Sequence, residues 1–176
     1  LTQDELAKRI GKSRSYITNA IGLLKLPEET KKLINEVTSL INARIGSKPI
    51  DFKILVDENL PAVLYGDNMR VKQIMINLLT NAVKYTNEGR ILLQVKAKNE
   101  KDICKMTIEV VDTGIGMTEE SLQQLFTKFQ RFDINKNINV EGTGLGMAIT
   151  KGLIDLMNGQ INVKSKYEEG STFTVT

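Results

Sequence analysis

Residues 68–85 place the tightest limit on what this chain can fold into. At roughly 100° per residue, Arg70, Gln73, Asn77, Asn81 and Lys84 fall within about 40° of one line down a helix. The opposite side carries Val71, Ile74, Met75, Leu78, Leu79 and Ala82. Asp67 stands ready as the N-cap. A helix over 68–85 must therefore bury one side while showing a polar stripe that contains no acid. A solvated face is one reading of that stripe, although such faces usually mix Glu with Lys. The other reading is chemical. Two amides one turn apart can offer carbonyl oxygens to a hard cation while Lys84 meets phosphate.

Alternating texture surrounds this helix. Residues 52–56 alternate like a strand, 61–66 read as a short extended piece, and strands are expected at Ile91–Ala97 and Cys104–Val111 across a polar turn at 99–102. Thr118 should cap a short helix reaching Phe126, residues 130–141 read as an Asn-rich loop, and a helix should run from near Leu145 to Asn158-Gly159. Two closing strands flank Glu168-Glu169-Gly170. Upstream, Thr2 caps a predicted helix Gln3–Ile10 that breaks at Gly11, Ser13 caps a second, and a third begins after Pro27 and continues to Gly46.

Two glycine-bearing motifs follow the long helix. In Val110-Val111-Asp112-Thr113-Gly114-Ile115-Gly116-Met117 an apolar strand ends on a carboxylate, and two glycines then let the backbone approach a ligand closely. A buried carboxylate needs a donor, and the exocyclic amine of adenine is one; an ordinary Asp turn after a strand is the plainer reading. In Gly142-Thr143-Gly144-Leu145-Gly146-Met147, glycines enter a helix and expose amides as an anion site would. A plain glycine turn remains the alternative. The segment is neither a Walker A loop nor a dinucleotide fingerprint, since no Gly-Lys-Ser/Thr follows and the glycine spacing differs.

Taken in order, with Phe126-x-x-Phe129 between the last two, these motifs resemble the catalytic domain of two-component sensor histidine kinases, in the superfamily shared with gyrase and MutL-type ATPases. NLLTNAVKYT (77–86) looks like the N box, DTGIGM (112–117) the first glycine box, LFTKFQRFD (125–133) the F box, GTGLGM (142–147) the second glycine box, and GSTFTV (170–175) the final strand. The resemblance implies a two-layer α/β sandwich of the Bergerat type, a mixed sheet with helices on one face. It implies ATP and Mg²⁺ as ligands, with adenine on Asp112, Mg²⁺ on Asn81 and Asn77 nearby. Lys84 and Arg131 would face phosphates as the catalytic cations, and Gly142, Thr143, Gly144, Leu145 and Gly146 would form the lid's phosphate-binding run. Tyr85, Gly114, Ile115, Gly116 and Thr172 would complete the ATP pocket. Hydrolysing relatives place a glutamate where this chain has Asn77, and an amide cannot take a proton from water, so negligible hydrolysis is expected.

The first 29 residues resemble the helix-turn-helix of ParB-type partition proteins, with Ala7, Gly11 and Ile17 at its small, turn and buried positions. That resemblance would set Ser13, Arg14, Ser15, Thr18 and Asn19 against DNA. Residues 1–34 hold seven basic and four acidic residues, leaving 17 of each sign for the rest, so the net charge of +3 is confined to this segment. One such motif should bind DNA weakly and with a steep salt dependence. The domains expected are 1–34, a helix-turn-helix, and 35–176, the kinase-type domain. The join near Lys31–Asn35 implies that an acceptor domain has been replaced, as in a chimera made by fusion or truncation; a natural DNA-binding kinase with an ATP-responsive switch is the alternative.

Composition removes other classes. The chain has no histidine, which excludes a Ser-His triad, imidazole metal ligands and self-phosphorylation on histidine. The phosphoacceptor and dimerisation domain and the response regulator of the parent kinase are therefore separate partners, and a monomer is expected. One cysteine excludes an internal disulfide, and no apolar run nears the ~18 residues of a membrane span, which together suggest a cytoplasmic protein.

Overall fold

The structure, a computed structural model, describes residues 2–11, 14, 28–61, 66–101, 103–126 and 146–176. The predicted second helix, the Asn-rich loop, Phe129 and most of the extended piece at 61–66 lie outside these residues. Helix α1 (Gln3–Ile10) begins with a reciprocal capping box: Thr2 Oγ1 accepts from the Glu5 amide at 3.2 Å, and Glu5 Oε2 accepts from the Thr2 amide at 2.8 Å. Helix α2 (Glu28–Ile45) is continuous through residues 34 and 35, and it buries Ile34, Val37, Ile41 and Ile45. The proposed domain junction thus falls within one unbroken helix.

The sheet follows in the order β1-β2-β3-β5-β4, from β1 (Ile50–Val56), β2 (Gly89–Glu100), β3 (Ile103–Asp112), β4 (Ile161–Lys166) and β5 (Gly170–Val175). β1 pairs parallel with β2, because helix α3 (Asn68–Tyr85) forms the crossover between them. Every other pairing is antiparallel. Ile91, Leu93, Val95, Ile108, Val110, Phe173 and Val175 alternate onto one face of the sheet and are buried there against the helices. Helices α2 and α3 pack on each other, as do α3 and α5 (Gly146–Leu156). Lys72, which pairs with Glu36 of α2, and Asn77 and Asn81, which meet α5, lie on opposite sides of α3. This is the mixed two-layer α/β arrangement that the motifs imply.

Three details differ from the sequence reading. β2 runs to Glu100 and β3 starts at Ile103, so Asn99 and Glu100 of the expected polar turn pair with Cys104 and Ile103 in the ladder. The helix capped by Thr118, α4 (Glu119–Gln123), stops before Phe126, because the Leu125 amide turns back onto the Leu122 carbonyl and Leu125 drops into the core. The C-terminus of α3 is closed by a residue that the helix pattern does not announce. Lys48 Nζ donates to the Val83 and Thr86 carbonyls at 2.7 and 3.0 Å, so a cation meets the negative end of the helix. Among the described residues no helix is long and apolar enough to cross a membrane.

Candidate nucleotide-binding site

Asp112 is the last residue of β3 and shares the helix-covered face with Ile108 and Val110, so the strand delivers a carboxylate to the rim of the core. Only 6% of the residue is exposed. Its Oδ1 accepts from the Gly114 amide at 2.9 Å, and the Ser171 amide also donates to the carboxylate. Burial pushes the carboxyl up to about 6, and the two amides pull against that rise without cancelling it.

The turn after Asp112 is threaded through a narrow gap. A Cβ on Gly114 would overlap the Tyr85 carbonyl and stand 2.8 Å from Thr86 Oγ1 and 2.9 Å from Asp112 Oδ1. The Ile115 amide donates to the Tyr85 carbonyl at 3.1 Å, and the Ile115 carbonyl accepts from the Glu168 amide at 2.7 Å. Tyr85, Gly114, Ile115 and Gly116 are thereby brought together with Asp112 by main chain. Thr86 is fully buried beside them, and its Oγ1 has no hydrogen-bond partner among the described residues.

Thr172 does not join this group. It pairs with Val111, one residue out of register from Asp112, so its side chain lies on the opposite face of the sheet. Ser171, paired with Asp112, shares its helix-covered face instead. The sequence held the signal: Phe173 and Val175 mark the buried face of β5, and Ser171 continues their period of two.

Along α3, Asn77 and Asn81 of the predicted polar stripe are half-buried against α5, while Gln73 is exposed and Arg70 pairs with Asp67. Gln73 Nε2 donates to Asn77 Oδ1 at 2.8 Å, Asn77 Nδ2 donates to Thr150 Oγ1 at 3.1 Å, and Thr150 Oγ1 donates to the Gly146 carbonyl at 2.8 Å. Asn81 Nδ2 donates to the Met147 sulfur at 3.1 Å. Lys84 forms no ion pair among the described residues, and its ammonium lies 5.1 Å from the Tyr85 ring centroid. Thr150 and Met147 were not singled out by sequence reasoning, since nothing local in 147–150 names a partner on another helix.

Arg131, Gly142, Thr143, Gly144 and Leu145 lie outside the described residues, as do Ser13, Ser15, Thr18 and Asn19. Gly146 opens α5 at the end of the glycine run. Arg14 is exposed and its guanidinium Nε stands 3.5 Å from Asp4 Oδ1. Among the described residues no group of three His, Cys, Asp or Glu could hold a metal by itself. The donor set nevertheless suits Mg²⁺, which keeps several waters and takes one or two protein oxygens plus substrate phosphates. Asn81 can supply such an oxygen, because one N–H of its amide is directed to Met147 and its carbonyl is not hydrogen-bonded within the described residues.

Comparison with known proteins agrees with this fold. Residues 66–176 match the family model of histidine kinase-, DNA gyrase B- and HSP90-like ATPases, and residues 1–44 match that of the ParB HTH domain. Hybrid signal transduction histidine kinase B of Dictyostelium discoideum is 36% identical over 155 residues, covering 88% of this chain but 8% of that protein. The chain thus spans a small fraction of that relative's length. Full-length ShkA, crystallised in complex with AMPPNP, superposes with a TM-score of 0.70 at 30% identity, over 85% of this chain and 30% of that one. The nucleotide-free catalytic domain of the histidine kinase ThkA superposes at 0.62 with 27% identity, over 82% of this chain and 88% of that one. The chain belongs to the histidine kinase-, DNA gyrase B- and HSP90-like ATPase family, and its α/β body is an ATP-binding catalytic domain of the sensor histidine kinase type.

Proposed function

We propose that this domain binds ATP with its adenine amine on Asp112, and that it transfers the γ-phosphoryl group to a histidine on a separate acceptor domain. The observation that carries the reading is the carboxylate at the end of β3, buried, held by two amides and set at the threaded Gly114 turn. In its ionised form it accepts from an exocyclic amine, which selects adenine over bases that present a carbonyl there. Asn81 and Lys84 lie farther back along α3, on the side where phosphates would extend. Mg²⁺ bound through Asn81 would neutralise phosphate charge, which is most of what phosphoryl transfer asks of a protein. Lys84, with Arg131, serves the phosphates; Gly142, Thr143, Gly144, Leu145 and Gly146 supply amides to them; Ser171 takes the pocket-side place in the last strand.

The acceptor histidine lies outside these 176 residues, which contain none. An acceptor imidazole nitrogen attacks the γ-phosphorus, the bond to the β-phosphate oxygen breaks, and ADP leaves. The phosphohistidine then serves a response regulator. Water is a poor substitute nucleophile here, since both ends of the Asn77 amide are engaged and neither is a base.

Calorimetric titration with ATP tests the reading. The parent should bind, Asp112→Asn should lose binding with and without Mg²⁺, and Asn81→Ala should lose only the Mg²⁺-dependent part. Equal affinity of Asp112→Asn and parent would sink it. Steady ATP hydrolysis well above a no-enzyme control, abolished by Asn81→Ala, would overturn the kinase assignment in favour of an ATPase.

The match of residues 1–44 to the ParB HTH model supports a second reading, in which the N-terminal helices contact DNA and the ATP domain acts as a switch. Ser13, Arg14, Ser15, Thr18 and Asn19 are the contacts it requires. Arg14 would have to leave Asp4 to reach a phosphate. DNA binding that weakens steeply with salt and changes on adding ATP would favour this reading; binding insensitive to nucleotide would leave the helices a passive attachment.

A further inference from the structure

Helices α3 and α5 touch through polar side chains at two levels one helical turn apart, and each contact fixes one of the two asparagines. At the upper level a directed chain runs Gln73, Asn77, Thr150, Gly146, every member donating to the next. Thr150 is fully buried, and its hydroxyl uses its one hydrogen on the Gly146 carbonyl while accepting from Asn77. Both ends of the Asn77 amide are consequently occupied. At the lower level the Met147 thioether, 9% exposed, accepts the Asn81 N–H. A thioether accepts hydrogen bonds and donates none, so it can hold the amide in one orientation only. With the N–H turned toward sulfur, the Asn81 carbonyl is the end left for a cation.

We infer that Met147 and Thr150 are positioning residues for the metal-dependent part of nucleotide binding: Met147 orients the Asn81 amide with its oxygen outward, and Thr150 holds α5 at the spacing that lets Met147 do so. Neither residue touches nucleotide. The inference rests on the reading of Asn81 as the Mg²⁺ ligand. It goes beyond that reading by assigning the orientation of the ligand to two residues of the opposing helix. A residue that accepts from a ligand's N–H is an outer-shell partner in the usual sense, and such partners fix which atom of the ligand the metal meets.

Calorimetry with ATP in excess MgCl₂ and, separately, with ATP in EDTA provides the test. Met147→Leu keeps volume and apolar character but removes the sulfur; Thr150→Val keeps shape but removes the hydroxyl. Each should reduce the ratio of Mg²⁺ to EDTA affinity by about tenfold, the low end for outer-shell partners of a metal ligand. Affinity in EDTA, which reports the Asp112 end, should stay within about twofold of the parent on the same argument. Thr150→Ser should restore the ratio. Asn81→Ala serves as the reference. If Asn81→Ala abolishes the Mg²⁺ effect while Met147→Leu and Thr150→Val leave the ratio intact, the positioning roles are refuted and the metal reading stands. If Asn81→Ala leaves the ratio unchanged, the metal reading fails and this inference falls with it. A parallel fall in both affinities would mean damage to the helix pair, and would also overturn it.

Discussion

At the Asp112 end of the site, position is enforced by main chain: the Gly114 and Ser171 amides meet the carboxylate, the Ile115 amide meets the Tyr85 carbonyl, and the Glu168 amide meets Ile115. At the α3–α5 end, position is enforced by side chains: Asn77 on Thr150 and Asn81 on Met147. The first kind of site leaves no room for a Cβ at Gly114, Gly116 or Gly170. The second can be tuned residue by residue without breaking the fold. On the proposed reading, an unvarying adenine would meet the rigid receptor, and a phosphate tail that must be received and released would meet contacts of modest strength.

The severest way to break the main-chain end is Gly116→Ala. Gly116 has φ of 62°, and a Cβ there would overlap the Lys166 carbonyl oxygen. Neither the left-handed backbone nor a fixed carbonyl can give way cheaply. A loss of about 3 kcal/mol or more is expected, in the range reserved for backbone incompatibility. Urea unfolding measures it, and a midpoint within error of the parent would show that the β3–α4 turn is softer than its contacts suggest.

Asp112→Asn separates stability from function at the same end. In the folded state the carboxyl is pushed up to about 6 from an ordinary 3.8, so between those pH values the folded chain keeps a proton that the unfolded chain has released. Stability of the nucleotide-free protein should therefore fall as pH rises through that window, by about 2–3 kcal/mol in total. The asparagine variant has no charge to bury and should lack this slope. At pH 7.5 it should exceed the parent by about 1–2 kcal/mol, less than the full window because an amide cannot accept both backbone N–H groups as well. Unfolding at pH 5 and pH 7.5 distinguishes the cases. If the variant is weaker at both pH values, the carboxylate is a structural asset and its burial costs the fold nothing. Nucleotide affinity of the parent should decline below about pH 6, as the carboxylate becomes an acid.

Lys48→Met removes a side-chain contact that is neither at the base nor at the phosphates. It leaves the Val83 and Thr86 carbonyls without their donor while keeping much of the aliphatic stem. A cost of about 1–2 kcal/mol is expected, appropriate to a charged donor at a helix C-terminus. Because α3 ends on Tyr85 and Thr86, ATP affinity should fall along with stability; a change in one alone would uncouple the helix end from the base pocket.

How much of this was legible beforehand follows the same division. The polar stripe on α3 and the carboxylate ending β3 were readable, because each is a local period meeting an exceptional residue. The helix cap at Asp67 and the turn at Asn158-Gly159 were readable for the same reason. On β5 the motif points to Thr172, but strand parity from Phe173 puts Ser171, one position earlier, on the face of Asp112. Thr150, Met147 and Lys48 were invisible, since their partners lie 73, 66 and 35 residues away, and no local pattern carries a contact over that distance. The extent of α4 was misjudged because Leu125 is drawn into the core and ends the helix early.

The smallest effect sharpens the comparison most. Gly46 ends α2 with φ of 55°, close to the 62° of Gly116, yet the nearest atom a Cβ would meet is the Ala43 carbonyl oxygen at 3.9 Å. Gly46→Ala should therefore suffer only the intrinsic penalty of a left-handed alanine, about 1 kcal/mol. Measured beside Gly116→Ala, it isolates what the surrounding main chain adds to a positive φ that the two positions share. A gap of about 2 kcal/mol or more between the two variants would assign rigidity at the base end to packing around the turn. Equal losses would assign it to the turn conformation itself, and the contrast between a main-chain end and a side-chain end would then have to rest on the Asp112 contacts alone.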